Sequence, residues 1–241
     1  MTTLRKPPAA PSLLDDLEAA GLFLAPYLLF AAVLAAAAGA ALLYGLVHPE
    51  WLSALQAAVT GPEPKIFWYF SRSSALISFG LVWAAMVLGL AISNKLARAW
   101  PGGPTYVALH EHTSLLGLAF GLGHALSLLG DRYIGYSLAG VLVPFANLSY
   151  RPLWVAAGQL ALYLLVPVTA SFYVRRAIGQ RAWRLIHCLS YAAFGLALIH
   201  GLFSGTDSAA PALLMAYWAG FLTVLGLTAY RLLTAVSRRL A

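Results

Sequence analysis

Residues 110–124 read HEHTSLLGLAFGLGH, a run fit for a lipid bilayer with a histidine at each end. A second run of the same kind, HCLSYAAFGLALIH, covers residues 187–200. Histidines inside membrane-grade sequence are costly unless something pairs with them. The fold therefore turns on what surrounds these two runs and on whether their histidines meet.

Of the 241 residues 61% are apolar and 10% charged, and the mean hydropathy is +0.79. A soluble domain carries about 25% charged residues, so the composition indicates an all-α integral membrane protein whose length fits one compact bundle. Six stretches are long enough to cross a hydrocarbon core of about 30 Å: 22–47, 70–92, 106–129, 153–174, 185–203 and 211–233. Pro49, Gly61-Pro62, Pro101-Gly102-Gly103-Pro104, Pro152 and Pro211 punctuate the joints.

The net charge of +7 is distributed between the spans, where basic residues set orientation and meet anionic headgroups. No nucleic-acid motif accompanies it. Eleven basic residues fall on one side: Arg5, Lys6, Lys95, Arg98, Arg175, Arg176, Arg181, Arg184, Arg231, Arg238 and Arg239. Four fall on the other: Lys65, Arg72, Arg132 and Arg151. This asymmetry predicts cytoplasmic N- and C-termini and a multi-pass protein of the cell (inner) membrane. The prolines and the acids Asp15, Asp16 and Glu18 sit where a signal peptide needs an apolar core, so 1–21 reads as a cytoplasmic lead-in with Ser12 as a helix cap. A bundle over 22–233 and a short basic tail over 234–241 complete the organisation. The external loop 130–152 is rich in aromatic and apolar residues and is expected to fold back on the outer surface. Trp68, Tyr69, Tyr133, Tyr136, Tyr150 and Trp154 form an expected outer aromatic belt.

By the six-span count, spans three and five both run from inside to outside. His110 and His187 then lie near the cytoplasmic face, and His124 and His200 near the external face. Spacings of fourteen and thirteen residues correspond to about 21 Å and 20 Å along a helix. Side by side, the helices present two histidine pairs at matching depths. A porphyrin held edge-on between helices needs one imidazole above and one below its iron, so two pairs fit two stacked haems. Bis-imidazole ligation suits electron transfer and leaves no open position for substrate. Fourteen residues keep His110 and His124 within about 40° of one face, but thirteen leave His187 and His200 about 140° apart. Span five is therefore expected to bend or turn its side chains, with Ser190 and Gly195 as candidate places.

The other polar residues read more simply. His112 points away from His110 and is either hydrated or close to a haem propionate or donor site. His48 lies in an external loop. HEH is not HExxH, and residues two apart on a helix diverge, so no three-ligand zinc set exists there. Cys188 excludes an internal disulfide and reads as packing. Phe120 and Phe194 lie at suitable heights between the pairs, although packing is the commoner use of such rings.

Six spans with histidine pairs at fourteen and thirteen residues resemble the transmembrane domain of the ferric reductase and NADPH oxidase family, over roughly 66–233. The resemblance implies two non-covalent haem b groups, the inner on His110 and His187 and the outer on His124 and His200, which act as axial iron ligands. It also implies a role for Arg72, at the outer end of span two, in offsetting propionate charge and favouring the reduced haem. The chain differs from the flavin-bearing members: no nucleotide-binding loop follows span six, and Leu128 stands where the oxidases carry a further histidine. The implied activity is thus an oxidoreductase component without flavin, not self-sufficient with NAD(P)H. Its donor would be a separate flavoprotein or a quinol, and its acceptor ferric iron, oxygen or an external redox protein. A close variant is the haem-bearing membrane subunit of the bacterial methionine sulfoxide reductase system. Two readings of other classes are a transporter or channel relaying protons through histidines, with Glu111 its one clear membrane acid, and a structural assembly subunit.

Overall fold

The computed structural model describes residues 35–36, 39–40, 43–60, 65–98 and 102–240. The lead-in 1–21 and most of the first expected span, 22–47, lie outside them. The chain divides into two compact units, Met1–Pro62 and Glu63–Ala241. In the first, helix α1 (Pro49–Thr60) opens on a proline, whose missing N–H costs nothing there. His48 just before it is half exposed and lies 3.0 Å from Glu50 through its Nδ1.

The second unit is a helical bundle: α2 (Ile66–Ser93), α3 (Gly103–Ser127), the short α4 (Leu138–Leu142), α5 (Pro152–Ile178), α6 (Gln180–Ser204) and α7 (Pro211–Leu240). No strand occurs among the described residues. Pro104, Pro152 and Pro211 start three of these helices, as punctuation in the sequence predicts. Gly179 ends α5 and begins α6 in one residue at φ +81°, a conformation that disfavours any side chain. Helix α7 continues through 234–240, residues read from sequence as a tail.

Among the described residues four helices are long and apolar enough to cross a membrane: Ile66–Ser93, Pro152–Ile178, Gln180–Ser204 and Pro211–Ser237. Helix α3 has 25 residues, long enough to span. It does not reach the same apolar standard because Glu111 and three histidines dilute its sequence. This is the physical cost of the feature that singled it out.

Helix α2 packs along α3, α5 along α6, and α7 against α2. The helix contacts are made largely by small residues: Ser71, Ser74, Ala85 and Ala91 on α2, Ala156, Ala157, Ala161 and Ser171 on α5, and Ala193 on α6 are all buried. Large side chains such as Leu160, Val166, Leu185, Leu222 and Leu233 are exposed. That inside-out distribution is expected where lipid surrounds the bundle and helices associate by close backbone approach. One larger apolar cluster, Val82, Met86, Leu90, Phe194 and Val224, joins α2, α6 and α7. Phe194 stacks there on Phe79 at 5.9 Å, which gives it a packing role.

The α3–α5 connection folds over one end of the bundle. Ser137 caps α4 by accepting from the Gly140 N–H, and Gln159 on α5 donates to the carbonyls of Gly140 and Val141 at 2.9 and 2.8 Å. Tyr150 donates to the Ser204 carbonyl at 2.7 Å. Of the expected aromatic belt, Tyr133 is exposed, whereas Tyr136 turns inward and is only 6% exposed.

Candidate functional site

The four membrane histidines meet in the two pairs that their spacing predicts. The rings of His110 and His187 have centroids 6.0 Å apart, and those of His124 and His200 likewise 6.0 Å apart. Helices α3 and α6 are not among the closely packed pairs of the bundle. They face each other across a gap that the imidazoles enter from both sides. A first-row metal bonded at about 2 Å to an imidazole nitrogen on each side holds two ring centroids about 6 Å apart. The ring planes cross at 72° and 64°.

Hydrogen bonds select the nitrogen that each ring leaves open. His110 Nδ1 lies 2.8 Å from the Ala85 carbonyl, His124 Nδ1 2.8 Å from the Ser71 carbonyl, and His200 Nδ1 2.8 Å from the Trp154 carbonyl. A carbonyl only accepts, so in each case Nδ1–H donates and Nε2 keeps its lone pair. The Ser71 hydroxyl is also 3.0 Å from His124 Nδ1. The fourth ring, His187, stacks on Trp183 at 5.3 Å, and its buried Nδ1 has no hydrogen-bond partner. Among the described residues no three His, Cys, Asp or Glu side chains converge on a possible metal position.

The 140° mismatch on α6 is absorbed without a break. The helix runs through Ser190 and Gly195. His200 leans toward α5, where its ring abuts Gly158, while His187 lies over Trp183 of its own helix. A Cβ at Gly158 would come within 2.6 Å of His200 Nδ1, so glycine makes room for this ring. Gly89 does the same more loosely for His110, with 3.2 Å to Cε1.

A cavity of about 300 Å³ opens at the His124–His200 end. Its walls are thin where the helices offer Ala75, Gly121, Gly158, Ala161, Ala193 and Ala197, and the folded-back loop closes over it. Arg72 lines this cavity together with His124 and His200. Its guanidinium contacts the Thr206 hydroxyl and the Asp207 carboxylate and lies 4.3 Å from the Trp68 ring centroid. The Tyr136 hydroxyl and the Ser204 Oγ also belong to the lining residues, and both are buried without a hydrogen-bond partner. Burial pushes the Tyr136 phenol pKa up, with Tyr150 adding to it, so the group stays a neutral donor. Sequence reasoning missed Asp207, Tyr136, Ser204 and Gly158. Only the glycine, in mid-helix, carried a signal of close approach.

The remaining candidates fall elsewhere. His112 Nδ1 is 2.7 Å from the Ala108 carbonyl of its own helix. Glu111 accepts from the Tyr173 hydroxyl at 2.7 Å. Cys188 is exposed. No family model, curated protein or solved structure matches the chain.

Proposed function

We propose that the chain is a six-span, di-haem b-type membrane cytochrome with cytoplasmic termini in the cell membrane. It would receive electrons from a flavoprotein or quinol on the cytoplasmic side and deliver them to an external acceptor. The observation that carries this reading is the double 6.0 Å imidazole pair, one at each end of α3 and α6. The residues fit the group: neutral rings with Nε2 left open, a thin-walled cavity beside one pair, and orphaned donors at its rim. His110 and His187 would hold the inner haem, and His124 and His200 the outer. Arg72, Tyr136 and Ser204 offer a cation and two hydroxyls where an anionic ligand edge would be stabilised. Two haems bound in this way supply one-electron transfer without an open coordination position.

The protein's own part is to hold and insulate. Backbone carbonyls of α2 and α5 fix three rings in the ligating tautomer, and glycine at 158 lets α5 approach His200. Lipid-facing Leu and Val side chains keep water from the bundle. The carboxylate of Asp207 offsets the Arg72 charge when no other anion is present. A proton relay through histidines would want lone pairs and acids in file, yet Glu111 is engaged by Tyr173 and three Nδ1 positions are committed to carbonyls.

The test is transmembrane electron transfer in liposomes loaded with ferricyanide, with a membrane-impermeant reductant outside. The wild-type protein should bleach the trapped ferricyanide, and His124→Ala should not. Equal rates for the two, or for protein-free liposomes, would refute the proposal.

A further inference from the structure

The four rings are not held alike. Nδ1 of His110 and His124 reaches carbonyls of α2, and Nδ1 of His200 reaches a carbonyl of α5, each at 2.8 Å. A hydrogen bond of that kind fixes two things at once, the orientation of the imidazole and the nitrogen that it leaves open. His187 has no such bond, although its Nδ1 is buried.

What His187 has is an indole. Trp183 stands four residues earlier on α6, and residues four apart are neighbours on a helix surface. A helical side chain leans toward the N-terminus, so the His187 ring comes down over the turn that carries Trp183. The ring centroids are 5.3 Å apart and the planes 26° from parallel, an offset stack. Both residues are half-buried, and the Trp183 Nε1 is itself buried without a hydrogen-bond partner. The indole therefore meets His187 by its face and not through its N–H. A flat face against one side of an imidazole resists tilting of the ring about Cβ–Cγ. A half-turn about the same bond leaves the stack intact, so the contact sets the plane without choosing the nitrogen.

We propose that Trp183 is the positioning residue for His187, its indole face setting the plane in which that imidazole meets His110. This rests on the haem reading above, in which bound iron selects the nitrogen. A stacking contact is worth about two- to tenfold in an equilibrium. An outer hydrogen bond to a ligating histidine is worth about 10- to 100-fold in metal affinity. The His110–His187 site is thus anchored on one side by a carbonyl and on the other by a weaker, purely aromatic contact.

Three variants test it. Trp183→Phe keeps an aromatic face and deletes an N–H that has no partner. Trp183→Leu and Trp183→Met remove the face but keep an apolar helix former, so one of the two in folded form is enough. The measurements are the haem-to-protein ratio, electron paramagnetic resonance of the oxidised protein and the rate of haem loss to excess apomyoglobin. The g-values of low-spin ferric haem depend on the angle between the two axial imidazole planes, here 72° at this pair. They report the plane that Trp183 is assigned to set, and the signal missing from His110→Ala identifies the site. In the variants without a ring that signal should shift, and haem loss from that site should quicken by about two- to tenfold. The other signal should stay, and Trp183→Phe should keep both as in the wild type. Unchanged signals and loss rates in the variants without a ring would overturn the proposal. So would Trp183→Phe shifting the signal as far as they do, since bulk rather than an aromatic face would then be at work. Wild-type protein without haem would refute the proposed function instead, and the ratio separates the two failures.

Discussion

Gly158→Ala is the sharpest perturbation that the structure offers. The added Cβ would sit 2.6 Å from His200 Nδ1 and 2.7 Å from Cγ, both well inside van der Waals contact. The obstruction is a stiff imidazole already committed at 2.8 Å to the Trp154 carbonyl, so the ring must leave that bond. Loss of such an outer hydrogen bond typically lowers metal affinity 10–100-fold, about 1.4–2.8 kcal/mol at 1.4 kcal/mol per decade. Displacement of the ring from its partner, now 6.0 Å away, adds to that loss. The helix itself responds with the opposite sign, because alanine is favoured over glycine in a helix interior by about 0.5–1 kcal/mol. Haem loss and unfolding are thereby uncoupled. The assay is pyridine haemochromogen per chain, with a redox titration and detergent-solubilised thermal unfolding on the same sample. The expected protein remains folded, keeps one haem and shows one midpoint. Two haems with both midpoints unchanged would refute the role assigned to His200 and its glycine. Gly89→Ala, with 3.2 Å to His110 Cε1, should weaken the other site more mildly.

Further outcomes follow from the same contacts. His124→Ala and His200→Ala should each remove the same single haem, and His110→Ala the other, read as haem-to-protein ratios and as loss of one midpoint. His112→Ala should leave both, since its Nδ1 is tied to its own helix. Asp207→Asn removes the carboxylate that offsets Arg72, so the outer midpoint should rise, and Arg72→Ala should lower it. The Asp207 side chain is 58% exposed, so both shifts should shrink at high salt. Gln159→Ala deletes two hydrogen bonds that tie the α4 segment to α5. Freed buried carbonyls cost about 1–3 kcal/mol. Hydrogen exchange across 138–143 should accelerate accordingly, and unchanged protection would contradict the strapping role.

What was legible in the sequence was what stands out against an apolar background. Four histidines in two apolar runs announced their own pairing, because helical rise converts sequence spacing into depth. Arg72 was legible for the same reason. Helix starts were visible as prolines. What was not legible is carried by groups without a side-chain signature. The carbonyls of Ser71, Ala85 and Trp154 could be matched to rings only once the helices were set in register. Asp207 reaches Arg72 across 135 positions of chain, and nothing local marks that pairing. Of the two ways expected for α6 to bring its histidines round, the turned side chains are seen: His200 lies against Gly158 and His187 over Trp183, on a helix that continues through Ser190 and Gly195. Tyr136 reads with the interfacial aromatics because its loop looks like surface, yet the fold-back buries it.

The most direct test of the account is the haem content and coordination of the purified chain. A dithionite-reduced minus oxidised spectrum should show a b-type α-band at two haems per chain. Low-temperature electron paramagnetic resonance of the oxidised protein should show low-spin, bis-imidazole iron only. A chain that binds no haem, or whose iron is high-spin with an open position, would contradict the central claim that these four histidines form two closed axial pairs.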